Sequence, residues 1–240
     1  MQEITTSAEL RAAGKDDPLL VHLLPHLTPG RPAYAMDGAV LLAYDYWDDL
    51  GWLVIGPASA GARLVGEAAG LLNDGKHLSV PEESVDQLPA GWWQPHTPWR
   101  FRWSDRRPPA PTVDAHWLAE SEWPDVDELL DDSFAEASVR PGNRHARRWA
   151  GIRGADGRLV ACAADCTESE IGFMASIGSR LTARRTGVGL AITTWLTHRL
   201  LDDYGVAALW QYSSNTVATA LYDRLGFTDD HRYVDGTFRA

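Results

Sequence analysis

From Ile171 to Tyr212 the chain carries two incompatible hydrophobic periods in a fixed order, and few folds can accommodate them. Ile171 to Ile177 is a short apolar run that predicts a strand. The run is followed by Arg184-Arg185-Thr186-Gly187-Val188-Gly189 and then by a segment in which Ala191, Ile192, Trp195, Leu196 and Leu200 recur at helical spacing, closed by Gly205. Val206 to Tyr212 returns to strand character. A strand-helix-strand unit of this length places its two strands side by side and parallel, joined by a right-handed crossover. The expected fold class is therefore α/β (α+β), a mixed sheet with a central parallel pair. In such sheets a ligand sits beyond the carboxyl ends of the strands, where the glycine turn falls.

The turn has its own chemistry. Glycines at a helix start leave backbone N–H groups without partners, and these bind pyrophosphate together with the helix dipole. The spacing R-x-x-G-x-G is neither a P-loop, since no Lys-Ser or Lys-Thr follows, nor the dinucleotide pattern G-x-G-x-x-G. It points to a nucleotide with a pantetheine arm, coenzyme A. Downstream, Thr216 to Leu225 predicts a second helix, capped by Ser214 or Asn215. Val217, Ala218, Leu221 and Leu225 form its inner face, and Gly226 lies past its end.

The remaining elements are read from the same signals. Ser121 to Ser138 is expected as a helix that stops at Pro141-Gly142. Arg148 to Ile152 and Leu159 to Ala164 flank Gly154-Ala155-Asp156-Gly157 as a hairpin. Tyr233-Val234 and Phe238 suggest a last strand pair. The prolines of Arg106-Arg107-Pro108-Pro109-Ala110-Pro111 read as an extended linker, dividing a first domain at 1–108 from a second at 112–240. The first half repeats the order faintly, with strands at 40–44, 52–55, 77–80 and 99–103 and helices at 60–72 and 82–88. Gly61 to Gly66 stands where the second half has its phosphate turn, with Glu67 in place of a P-loop lysine. Residues 1–105 are either a degenerate copy that has lost its cofactor turn or an unrelated α/β domain.

Composition narrows the partners. A net charge of −11 lacks the basic footprint nucleic acid requires and suits a cationic or amine substrate. No apolar run reaches the ~18 residues of a membrane span, and Met1-Gln2-Glu3-Ile4 resembles no secretion signal, so a cytoplasmic protein is expected. Cys162 and Cys166 lie four apart among scattered histidines, which reads as buried free thiols with no metal site. Among the eleven tryptophans, Trp92, Trp93, Trp99 and Trp103, with Phe101, are expected as core, or alternatively as the wall of an amine pocket.

Ala175-Ser176-Ile177-Gly178-Ser179, Arg184 to Gly189, Ser214-Asn215, Ala218, Tyr222 and Leu225-Gly226-Phe227, in this order, resemble the GCN5-related N-acetyltransferases. The A-S-I-x-S run is similar to the FR47-like and glycine-N-acyltransferase-like branch, whose members often carry a degenerate first half. The resemblance implies that Arg184, Arg185, Thr186, Gly187, Val188, Gly189 and Leu190 bind the pyrophosphate of acetyl-CoA or another acyl-CoA. It implies that Ile177, Gly178 and Ser179 lie along the pantetheine arm, with a strand N–H polarising the thioester. Asn215 would reach the same arm, and Tyr222 would protonate the departing thiolate. Leu181 departs from the proline usual in relatives.

The general base has no evident residue. Its place falls on Phe173, while Glu170, Glu168 and Asp165 are alternatives, and the amine could equally lose its proton to solvent. The acidic run from Glu120 to Glu136 reads as a solvated helix face or as an attractor for a cationic acceptor. His96 and His116 read as structural. Two functions follow. One is an N-acetyltransferase acting on a small-molecule primary amine by direct attack in a ternary complex. The other is a non-catalytic acyl-CoA-binding regulatory module that docks a protein partner.

Overall fold

A computed structural model of the chain describes residues 1–45, 50–74, 77–89, 91–111, 113 and 115–238. The chain falls into two compact units. One comprises 1–101, 211–216 and 230–240; the other comprises 102–210 and 217–229. The change at Phe101–Arg102 precedes the proline stretch, which lies in the second unit, where Pro108 O accepts from His198 Nε2 at 2.8 Å.

In the first unit the order is β1 (Gln2–Ile4), α1 (Ser7–Ala13), α2 (Pro18–Leu23), β2 (Ala33–Met36), β3 (Ala39–Asp45), β4 (Leu50–Ile55), α3 (Ala58–Ala68), β5 (His77–Pro81) and β6 (Trp93–Ser104), whose last three residues belong to the second unit. Local chemistry starts the two helices that the hydrophobic period did not reveal. Thr6 caps α1 by accepting from Glu9 N at 3.2 Å, and Asp17 caps α2, with Pro18 at its first position. Helices of seven and six residues are too short to display a period. β2, β3 and β4 form an antiparallel meander. β4 then pairs parallel with β5 from Gly51↔His77 to Leu53↔Ser79, the crossover being α3.

In the second unit β7 (His116–Trp117), α4 (Trp123–Ser133), β8 (Arg148–Arg153), β9 (Leu159–Asp165), β10 (Gly172–Ser179), α5 (Val188–Tyr204), β11 (Ala207–Tyr212) and α6 (Thr216–Arg224) follow the same plan. The strand order is β11-β10-β9-β8-β7. β10 and β11 are parallel from Gly172↔Ala207 to Met174↔Leu209, as the strand-helix-strand pattern requires. Ile192, Leu196 and Leu200 of α5 pack with Ala161, Ala163, Met174 and Leu209 of the sheet in one apolar core. β12 (Asp229–Phe238) returns to the first unit and pairs antiparallel with β5 from Tyr233↔Pro81 to Thr237↔His77. A single strand thus stands where a terminal pair was expected.

Three other expectations are corrected. Helix α4 ends at Ser133, not Ser138: Phe134 leaves helical geometry at φ −157°, and the following segment buries Val139 completely. Val217 is not on the inner face of α6 but 82% exposed, whereas Leu225 is buried. Gly61 and Gly66 lie inside α3 rather than in a turn; a Cβ on Gly61 would meet Val54 at 2.6 Å, so this glycine serves close helix–strand packing. Both cysteines are free and buried, as read from the sequence. Among the described residues no helix is long and apolar enough to cross a membrane.

Candidate functional site

The carboxyl end of β10 carries a distortion. Its ladder with β9 shifts register between Ala175 and Gly178, a β-bulge, and Ser176 adopts a left-handed φ of +47°. That conformation is unfavourable for a non-glycine residue, and here the side chain compensates: Ser176 Oγ donates to Val139 O at 2.6 Å, in a buried setting. Gly178 lies under α4, where a Cβ would meet Leu129 at 3.1 Å and Leu130 at 3.3 Å. Behind the bulge, the Cys162 thiol approaches Ser176 O at 3.9 Å, and burial pushes its pKa up to about 12. The ladder between β10 and β11 stops at Met174↔Leu209, so Ala175 to Ser179 run on past it.

Beyond β10, Leu181 to Ala183 form one 3-10 turn, and the glycine turn follows. Arg185 (φ +63°) and Gly187 (φ +94°) are both left-handed, on either side of Thr186. Between them the Thr186 N–H donates to Ala183 O at 3.4 Å, closing the turn on itself. α5 starts at Val188 with Gly187 as N-cap and no side-chain cap, so the amides of its first turn have no intrahelical acceptor. Arg184 to Gly187 are exposed, and a Cβ on Gly187 would meet nothing within 4 Å. Among the described residues, therefore, no side chain occupies the space beside Gly187. Two hydrogen bonds tie it to α4: Leu181 N to Asp132 at 2.9 Å and Arg184 Nη2 to Ser133 O at 3.1 Å. In the second unit a Cβ on Gly189 would lie 3.9 Å from Ser179 Oγ, so the end of β10 and the first turn of α5 are adjacent.

Asn215 belongs to the segment assigned to the first unit. It is exposed and immediately precedes α6, its N–H donating to Tyr212 O at 3.0 Å. Tyr222, on α6, is 7% exposed and meets Phe227 edge-on at 6.0 Å. Burial raises its pKa to about 12, against an opposing pull from Arg102, so the phenol is protonated at neutral pH.

The candidate bases are otherwise engaged. Phe173 is an apolar wall, 2% exposed and edge-on to Trp210 at 5.5 Å. Asp165 is fully buried, paired with Arg148 at 2.8 Å, and accepts from Thr167 Oγ1 at 2.6 Å. Glu168 binds His145 Nδ1 at 2.6 Å. Glu170 lies in the loop before β10, at the end of that strand remote from the glycine turn.

The acidic run is not simply solvated. Glu122 and Asp125 hold Arg153, Glu128 holds Arg158 and Arg180, and Asp127 and Asp131 hold Arg140. Every one of these arginines lies outside the run, so local sequence could not reveal the pairing. Sequence reasoning also missed Ser176 as the lock of the bulge and Asp132 as an anchor of the turn. A strand whose alternation breaks at Ser176-Ile177-Gly178 was the available signal for the first.

Residues 150–234 match the family model described as FR47-like protein. No curated protein matches the chain. Solved structures do. A GCN5-related N-acetyltransferase from Sphaerobacter thermophilus is 17% identical with a TM-score of 0.65, over 97% of this chain and 93% of that one. Another from Kribbella flavida is 17% identical with a TM-score of 0.57, over 98% and 96%. An acetyltransferase of the GNAT family from Colwellia psychrerythraea is 12% identical with a TM-score of 0.58, over 99% of each chain. At such identities the likeness speaks for the fold.

Proposed function

We propose, on the premise that the chain belongs to the GCN5-related N-acetyltransferase superfamily by its FR47-like domain and its fold, that it transfers an acetyl group from acetyl-CoA to a primary amine of a small molecule. The observation that carries this reading is the exposed, uncapped turn at the start of α5, continuous with a bulged strand that runs past its parallel neighbour. Amides of residues 185 to 190 would hold the diphosphate. The pantetheine arm would run along Ile177 to Ser179. A strand N–H near Ile177 would receive the charge developing on the thioester oxygen.

The amine lone pair forms the new C–N bond and the C–S bond breaks, its electron pair staying on sulfur. The Tyr222 phenol gives its proton to that sulfur, and the ammonium proton leaves to water, from which the phenolate is reprotonated. With Asp165 and Glu168 committed to Arg148 and His145, no carboxylate base is needed in this scheme. Replacing Tyr222 with Phe should lower kcat by ~10²-fold or more while the affinity for acetyl-CoA changes little. Unchanged turnover would remove the phenol from the mechanism.

The engaged carboxylates also favour a second reading, a regulatory module that binds acyl-CoA without turning it over. Calorimetry with acetyl-CoA, followed by thiol release over a panel of cationic, aromatic and amino-acid amines, separates the two. Release with any amine supports the enzyme; binding with no release across the panel supports the module.

A further inference from the structure

We infer that Arg102 is a positioning residue for Tyr222, fixing the part of α6 from which the phenol acts. The inference rests on the reading of Tyr222 as the proton donor. Arg102 comes from the end of β6, 120 residues before Tyr222 in sequence, and its side chain is 1% exposed. Its guanidinium donates to Thr219 O at 3.4 Å, to the Asp223 carboxylate and to Phe227 O. These three acceptors bracket Tyr222, one turn before it, immediately after it and five residues beyond.

The Tyr222 carbonyl itself receives Leu225 N at 3.1 Å and Phe227 N at 3.0 Å, closing the helix through Gly226 at φ +89°. One cation thus gathers the last turn of α6 and the chain leaving it. The carbonyl end of a helix is where a positive charge is stabilised.

The arrangement is more than packing requires. Burying a guanidinium carries a large desolvation penalty unless it is well paired. Yet its one carboxylate partner, Asp223, is 56% exposed, and among the described residues its Nε has no acceptor. An apolar side chain could fill the same volume without that cost. What it could not supply is a fixed positive charge on the last turn of α6, the turn that carries Tyr222. That charge opposes the effect of burial on Tyr222 and eases loss of the proton as the thiolate departs.

The test is a double-mutant cycle on kcat and on KM for acetyl-CoA, using wild type, Arg102→Met, Tyr222→Phe and the double variant, with melting curves to confirm folding. Arg102→Met should lower kcat by about tenfold with KM within about twofold, Arg102→Lys should recover part of the loss, and Arg102→Met should add nothing in the Tyr222→Phe background. An equal loss from Arg102→Met in both backgrounds, or no loss in either, overturns the inference while leaving the role of Tyr222 standing. Turnover unaffected by Tyr222→Phe overturns the acid reading itself. Should Arg102→Met fail to fold, Arg102→Gln, which removes the charge but keeps a polar side chain, run through the same cycle decides by the same criteria.

Discussion

At the scale of single residues, the two glycines of the α5 turn answer different demands. Gly187 sits at φ +94°, where any Cβ is strained even though space is free. Gly189 is in an ordinary helical conformation, and a Cβ there would lie 3.9 Å from Ser179 Oγ, a comfortable contact. Gly187→Ala should therefore cost about 1–2 kcal/mol of stability as well as weakening acetyl-CoA binding. Gly189→Ala should leave the melting temperature almost unchanged and weaken binding by about tenfold, because the methyl holds phosphate away from the amides. Calorimetry and thermal denaturation check both; equal affinity in Gly189→Ala and wild type would remove the phosphate from this turn. Ser176 separates strain from bonding. Ser176→Ala keeps the left-handed strain and orphans the Val139 carbonyl, a loss of about 1–3 kcal/mol, whereas Ser176→Gly regains about 1 kcal/mol by relaxing φ. Denaturant unfolding should rank wild type above Gly and Gly above Ala.

At the scale of elements, β12 shows how a terminal strand contributes polar as well as apolar bonds. Asp235 accepts from Ser79 Oγ at 2.5 Å and from the Trp99 indole at 2.6 Å, while Trp99 stacks on Tyr233 at 4.7 Å. Burial nonetheless raises the pKa of Asp235 above its ordinary value. The folded state therefore holds this proton more tightly than the unfolded chain, so the stability it contributes is full below the unfolded pKa and is lost as pH rises through the folded value. Asp235→Asn removes that dependence. The melting temperature of the variant relative to wild type should climb as pH is raised from about 4 towards neutrality; a constant difference across this range would show that Asp235 is not the titrating group. Helix α4 works in the opposite electrostatic sense. Its carboxylates are matched by Arg153 and Arg158 of the β8–β9 hairpin and by Arg140 and Arg180, which spread negative charge over several partners instead of leaving it to repel.

At the scale of the molecule, two units share one element order but not one binding corner. Both have an antiparallel meander, a helical crossover and a parallel pair of three residue positions, at β4–β5 and at β10–β11. In the first unit the turn before the crossover helix is Gly56-Pro57. A Cβ on Gly56 would strike Gly38 O at 2.4 Å and Ala39 Cα at 2.9 Å, and Pro57 removes one amide from the helix start. The corner that is open before α5 is thus closed by backbone before α3. Titration calorimetry should give one acetyl-CoA per chain, and Gly187 substitutions should affect that single site. Two equivalents would mean that the first unit binds as well.

The amino-acid sequence by itself determined the elements whose patterns are local: the parallel crossover of 171–212, the β8–β9 hairpin, and the exposed glycine turn of α5. In each, periodicity and turn residues lie within a few positions of one another. It did not reveal α1, α2 or the true end of α4, because very short helices show no period and because the chain leaves α4 at Phe134, so that Val139 meets a bulge 37 residues away. Nor could it show that β12 joins β5 in the first unit's sheet, that Asp165 and Glu168 are engaged by Arg148 and His145, or that Arg102 grips the helix of Tyr222. Those facts are pairings between distant residues. Charge and hydrogen-bond complementarity has no range along the chain, only in space, and so the tertiary structure alone decided them.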